Sequence, residues 1–259
     1  MGQGRGCRDR DHNWSTSISL SAALEITPVD YLRQPLFQRV RRIVLGLAVL
    51  AGVLVVAIGG YVFVMAVDSS IDGQPVSVYK NVSGAMDSTV LVGERFTVVS
   101  LRGEKGELIA VGRGDVITHR WPPDTSKVFV KRIVAVPGDT IAMIEGVLQL
   151  NGRVMSERYA HHEEPDVDPM ADDFDWQRAY LVGNLTPASY RPSRNTWGPI
   201  LIPRGSYFVL GDNRDNSLDS RYWGFLPAGD ILARARRVYL SRDPKTGRIR
   251  WNRLAVRIE

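Results

Sequence analysis

A single cysteine, Cys7, stands among 259 residues, so no disulfide can close within the chain. Compartment therefore has to be read from other features. An excess of one charge sign is also missing. Thirty-three Lys and Arg against 28 Asp and Glu leave a formal net charge of +5, a mild basic balance. No internal repeat is visible, and helical periodicity is nearly absent outside one segment. The chain opens Met-Gly, but Gly6 stands where a myristoylation signal needs Ser or Thr, which excludes that anchor.

Charge is also absent from one long stretch, IVLGLAVLAGVLVVAIGGYVFVMAV, residues 43–67. It exceeds the roughly 20 residues needed to cross a bilayer. A buried helix of a soluble protein rarely lacks polar positions for so long. A cleaved signal peptide is the other alternative, since Val64-Met65-Ala66 resembles a small-residue cleavage site. The run is longer than an h-region of about 7–15 residues, and 42 residues precede it, which favours an uncleaved anchor. Arg33, Arg39, Arg41 and Arg42 come before it, and Asp68 and Asp72 follow. The positive-inside rule then places the N-terminus in the cytoplasm and everything after Val67 outside.

After the apolar run the chain reads as strands. VLVGERFTVVSL, residues 90–101, is β-branched and broken at Gly93. SKVFVKRIVAVPGDTI is a strand ended by the turn Pro137-Gly138-Asp139. GVLQLNGRVM carries Asn151-Gly152 between apolar alternations, a hairpin cue. ILIPRGSYFVLGD reads strand, turn, strand. ARRVYLS and RIRWNRLAV flank Asp243–Gly247 as a further hairpin. The pattern predicts a mainly β, mostly antiparallel domain. From Tyr159 to Trp197 the composition turns acidic and then rich in Pro, Asn and Ser, as an insertion between core strands would. His161 and His162 beside Glu163 and Glu164 lack a convincing metal-ligand spacing, and no metal is expected.

Two stretches could carry chemistry. In KVFVKRIVAV, Lys131 shares a face with Phe129, Ile133 and Ala135, and both faces are apolar apart from Lys131 and Arg132. Most lysines are solvated; a desolvated one loses its proton more readily and becomes a general base near neutral pH. GDNRDNSLDSRYWG, residues 211–224, follows a strand and is full of turn formers. It lacks the acid spacing and closing Glu of a calcium loop. It offers Asp212, Asp219 and Arg221 for ion pairs and Ser217 as a small donor or acceptor.

These segments, in this order after an N-terminal anchor, resemble bacterial type I signal peptidase, a membrane-bound Ser/Lys protease of family S26. SGAMDST, residues 83–89, stands where the family has Ser-Xaa-Ser-Met-Xaa-Pro-Thr. RGDVITHR, KRIVAVPGDTI and GDNRDNSLDSRYWGFLP match three further blocks, together spanning roughly residues 82–227. The resemblance implies an antiparallel β ectodomain with a small β-rich cap. Its expected layout is a cytoplasmic tail (1–42), a transmembrane helix (43–67), a catalytic core (68–145 and 205–259) and a cap insertion (146–204). It implies a single-pass protein of the cytoplasmic membrane whose catalytic domain faces the outer or periplasmic side. By the same resemblance Lys131 is the general base and Ser217 orients it. Arg132 with Asp212, and Asp219 with Arg221, are structural ion pairs, Ser83 helps form the oxyanion hole, and Met86 lines the substrate site. The implied reaction is signal-peptide removal after Ala-Xaa-Ala-like sites, with no cofactor. The implied partners are exported preproteins and membrane lipids, without nucleic acid or an obligate protein partner.

Two departures stand out. Ala85 occupies the nucleophile's place, and Ser88 replaces the proline. An alanine methyl cannot attack a carbonyl. Three readings stay open: an inactive relative that binds preproteins or regulates secretion, attack by Ser83, or attack by the more distant Ser88. Eight arginines between Arg234 and Arg257 raise one further reading, contact with anionic lipid headgroups.

Overall fold

The structure is a computed structural model that describes residues 35–70, 76–103, 105–162, 171–183 and 186–259. The chain divides into two compact units, Met1–Tyr61 and Val62–Glu259. Helix α1 runs Pro35–Ser70, so the helix extends beyond both ends of the predicted apolar run. Pro35 sits at its first position, where the missing N–H costs nothing. Pro35–Val62 is long and apolar enough to cross a membrane, with a mean hydropathy of 2.7. The predicted tail lies outside the described residues up to residue 34.

Among its described residues the second unit holds eleven strands: β1 (Val76–Lys80), β2 (Glu94–Ser100), β3 (Val116–Trp121), β4 (Asp124–Ala135), β5 (Thr140–Ile144), β6 (Val147–Leu150), β7 (Arg153–Val154), β8 (Trp197–Leu201), β9 (Ser206–Leu210), β10 (Leu226–Pro227) and β11 (Ile231–Ser241). They form a seven-stranded sheet in the order β1-β2-β11-β3-β4-β9-β10 and a four-stranded sheet in the order β7-β6-β5-β8. Every strand pairing is antiparallel, so the fold is mainly β, as the alternation and turn signals predict. The region 146–204, expected as an insertion, supplies β6, β7, β8 and a 3-10 segment (Ala171–Tyr180), and its sheet also takes in β5.

Strand β4 decides where the chemistry lies. It runs through the large sheet between β3 and β9, so its C-terminal half is covered on both sides. Lys131 through Ala135 are all buried. Ile133 packs with Ile117, Val209 and Ile231, while Val134 and Ala135 join the core shared with the small sheet around Trp197 and Phe208. A third cluster places Met86 and Val90 against Phe96, Val98 and Val238.

The C-terminal hairpin differs from its expectation. The return segment RIRWNRLAV forms no strand. It holds one isolated bridge, Arg242–Ile249, and a 3-10 turn over Trp251–Arg253, and a second bridge, Arg237–Arg257, lies just past its end. The physical reason is Arg253 in that turn, whose guanidinium donates to the buried Glu94 carboxylate of β2 at 2.8 and 3.0 Å and so anchors the turn. Arg250 is drawn likewise to Asp243 at 3.0 Å, and Arg234 to Asp115 at 2.8 Å. Much of this arginine charge is therefore neutralised inside the domain.

Candidate active site

The site is assembled from β4, the loop after β9, and the turn after β1. From β4, Lys131 is only 4 % exposed, and its Nζ lies 5.5 Å from the centre of the Phe129 ring. Burial pushes its amine down to about 8; Asp219 and Asp212 pull it back up, while Arg221 pushes it lower. Next along the strand, Arg132 grips Asp212 through two hydrogen bonds of 2.8 and 2.7 Å. It also donates to the Gly114 carbonyl at 2.7 Å and lies 3.7 Å above the Tyr159 ring. The Thr89 hydroxyl donates to the same Asp212 carboxylate.

The loop after β9 ends in the short helix α2 (Ser220–Trp223), capped by Asp219. Arg221 returns two bonds of 2.8 and 2.9 Å to that Asp219, and the Gly211 N–H donates to it at 3.1 Å. The pair is wholly buried, and Arg221 holds the Asp219 carboxyl below its usual range against the upward push of burial. Each carboxylate near Lys131 is thus already claimed by an arginine fork. That leaves the amine near two acids without a direct ion pair to either, and burial wins.

The turn after β1 is set by asparagine and serine. Asn81 accepts the Ser83 N–H at 3.2 Å and donates to the Val90 carbonyl at 2.7 Å, pinning both ends of the turn. Ser83 caps the 3-10 turn Gly84–Met86, its Oγ accepting the Ala85 N–H at 3.2 Å. Ala85 is 4 % exposed, and its carbonyl accepts the Asn213 N–H at 3.2 Å, which ties this turn to the loop after β9. Ser88 has φ +85°, a value closed to proline, whose ring fixes φ near −65°. Its hydroxyl donates to the Tyr159 carbonyl at 2.9 Å.

A cavity of about 460 Å³ opens between these parts, lined among others by Ser83, Ala85, Met86, Lys131 and Ser217. Ser88 is not among its lining residues. Ser217 shares the cavity wall with Lys131, but its buried Oγ has no hydrogen-bond partner. It turns instead toward Gly211. Arg132, Asp212, Asp219 and Arg221 stand behind the cavity and do not line it.

Comparison with known proteins decides the family. The model of the family described as "Signal peptidase, peptidase S26" matches residues 48–240. The chain belongs to the S26 signal peptidase family. It is 30 % identical over 158 residues to the probable signal peptidase I-2 of Synechocystis sp., covering 59 % of this chain and 58 % of that one. It is 32 % identical over 187 residues to signal peptidase I of Pseudomonas aeruginosa, covering 63 % and 64 %. The match thus spans less than two thirds of either relative's length. Among solved structures, signal peptidase I of Enterococcus faecalis aligns with a TM-score of 0.32 and 28 % identity, over 47 % of this chain and 93 % of that one. Every site residue described above falls inside the S26 match.

Sequence reading of this S26 member missed three groups. Asn81 gave no signal, because its work is to close a turn through its amide. Arg214 lies inside the 211–224 block, but its partner Glu157, 2.8 Å away through two bonds, sits in the insertion, where nothing marks it. His119 is fully buried beside Phe129 and Trp223, and burial, with a smaller push from the Lys131 charge, lowers it to about 4. The backbone N–H of His161 donates to the Asp212 carbonyl at 3.0 Å, and Glu163 and Glu164 lie outside the described residues.

Gly211 is the narrowest point of the site. A Cβ there would lie 2.2 Å from Ser217 Oγ and 2.5 Å from the Ala85 carbonyl oxygen. The second is backbone and cannot swing aside. Gly211→Ala is therefore expected to cost roughly 1–3 kcal/mol through overpacking, read as a lower urea midpoint with an unchanged slope.

Proposed function

We propose that this chain is a membrane-anchored endopeptidase of the Ser/Lys type that removes signal peptides from exported preproteins after Ala-Xaa-Ala-like sites. The observation that supports it best is Lys131, a buried amine with its pKa lowered to about 8 that lines a cavity beside an exposed serine hydroxyl. Such an amine is partly neutral near pH 7 and can accept a proton. Neither metal nor organic cofactor enters the chemistry.

In this reading Ser83 takes the nucleophile's part. Its hydroxyl leaves the Ala85 N–H, gives its proton to Lys131 Nζ and attacks the scissile carbonyl. The Ala85 N–H, released, is then a donor for the oxyanion. Collapse of the tetrahedral adduct expels the amine of the mature protein, which takes the proton back from Lys131. Water, deprotonated by Lys131, then hydrolyses the acyl ester. Ser83 is favoured over Ser88 because Ser83 lines the cavity while Ser88 is tied to Tyr159 outside it. Strand β1 is an edge strand, so an extended peptide can add alongside it and present small side chains to the cavity. Helix α1 supplies the anchor, with Arg39, Arg41 and Arg42 on the cytoplasmic side and the β unit on the outer or periplasmic side. Preproteins and the lipids around α1 are the partners.

The test is cleavage of a fluorogenic Ala-Xaa-Ala peptide by the full chain in detergent, with Lys131→Ala as the blank. Ser83→Ala is expected to lower turnover about 10³-fold or more, to the level of the blank. A second reading rests on the Ala85 methyl: a relative that binds signal peptides without cutting them. No turnover above the blank, with peptide binding retained, would establish that reading instead.

A further inference from the structure

One short stretch of the region between β7 and β8 touches all three parts of the site. The Tyr159 carbonyl accepts the Ser88 hydroxyl of the turn after β1 at 2.9 Å. The Tyr159 ring carries the Arg132 guanidinium of β4 at 3.7 Å. His161 pairs with the loop after β9 as a parallel bridge, donating to the Asp212 carbonyl and accepting the Arg214 N–H, each at 3.0 Å. At the head of the stretch, Glu157 holds Arg214 through two bonds of 2.8 Å, with side chains 8 % and 1 % exposed. The same carboxylate accepts the Tyr159 hydroxyl at 2.9 Å.

Arg214 passes the grip onward. Its Nε donates to the Gly211 carbonyl at 3.1 Å, and its own carbonyl accepts Arg221 Nη2 at 2.6 Å. Gly211 is the residue packed against Ser217 and the Ala85 carbonyl. Glu157 is therefore three contacts away from the cavity wall, through Arg214 and Gly211 to Ser217, and Arg221 is bound to one of the acids that act on Lys131.

We propose that Glu157 is a positioning residue, which through its buried pair with Arg214 locks the loop after β9 against the turn after β1 and keeps water away from Lys131. The proposal deepens the peptidase reading and rests on it. Glu157 touches no substrate. It acts on the amine by fixing what surrounds it, where the charged groups are Asp219, Asp212 and Arg221 and, on the neighbouring strand, the titratable group is His119, neutral above about pH 4.

The experiment is competitive acetylation by acetic anhydride across a pH series, read by mass spectrometry on the full chain in detergent. Lys127, whose side chain is 57 % exposed, is the internal standard. In the unaltered protein Lys131 is expected to react with a midpoint of about 8. Glu157→Gln keeps the shape and removes the charge; it is expected to raise that midpoint by on the order of one unit as water enters, and to slow any peptide cleavage through kcat rather than KM. A lower melting temperature with the Lys131 midpoint unmoved would show a merely structural role and overturn the proposal. Lys131 titrating together with Lys127 in the unaltered protein would instead overturn the base on which the peptidase reading stands. Should Glu157→Gln lose its cooperative melt, Arg214→Lys, which keeps the charge and loses the fork, is read in its place by the same two outcomes.

Discussion

Ala85→Ser raises turnover of an Ala-Xaa-Ala peptide by roughly 10²-fold or more, the factor commonly tied to correct placement of a reacting group. The reason is position. Ala85 lines the cavity that Lys131 lines, on a turn held at both ends by Asn81 and joined to the loop after β9 through the Ala85 carbonyl. Ser83, by contrast, has to break its cap on the Ala85 N–H before it can attack. The substitution adds one oxygen to a site that needs no other change. It also predicts a switch of dependence: in the Ala85→Ser background, Ser83→Ala should cost far less than it does in the parent chain, because Ser83 no longer carries the bond-forming step. Steady-state kcat/KM for the four combinations of these two positions gives the answer. Equal rates with and without Ala85→Ser would mean that the cavity is not organised around position 85.

The sequence was informative wherever one segment carried its own instructions. Asn151-Gly152 both take positive φ, 51° and 75°, and join β6 to β7, because that dipeptide suits a tight hairpin and little else. The double-sided apolarity around Lys131 announced a covered strand, and the lysine's burial followed from it. The sequence was silent wherever the outcome depended on a distant partner. RIRWNRLAV alternates like a strand, yet Arg253 finds Glu94 across the fold and the pairing fails. ILIPRGSYFVLGD contains two strands as its turn suggests, but β8 pairs with β5 in the small sheet and β9 with β4 in the large one, a choice no local signal encodes. Ser88 stands where the family has proline. The backbone there takes φ +85°, a value proline cannot adopt, and the Ser88 hydroxyl reaches the Tyr159 carbonyl. Glu157 stayed hidden for the same reason: an acidic residue in a polar insertion is ordinary until its arginine is located.

Lys131→Met abolishes turnover and, in the same protein, raises the melting temperature near pH 7. The two effects share one cause. The amine titrates at about 8 in the folded chain against an ordinary 10.5, so folding depresses its pKa and the native state binds the proton less well than the unfolded state. Below about pH 8 both states carry the proton, and the folded chain bears the full penalty, roughly 3–4 kcal/mol at about 1.4 kcal/mol per unit. Between about 8 and 10.5 the unfolded chain binds more protons, so stability rises with pH and the penalty fades. Methionine fills the same space without a charge to desolvate. At pH 7 the expected gain is roughly 5–10 °C for a domain of this size, shrinking as the pH approaches 10.5, while the rate falls to the uncatalysed level. Melting curves of both proteins at pH 7 and pH 10 decide it: a Lys131→Met variant no more stable than its parent at pH 7 would mean the amine is better solvated than its burial indicates, and it would then stay protonated at neutral pH and accept no proton there. The proposed general-base role would account for an amine held at this cost beside Ile133, Val134 and Ala135. The two acids that act on it are already bound by Arg132 and Arg221, which leaves the amine without a direct ion pair to either.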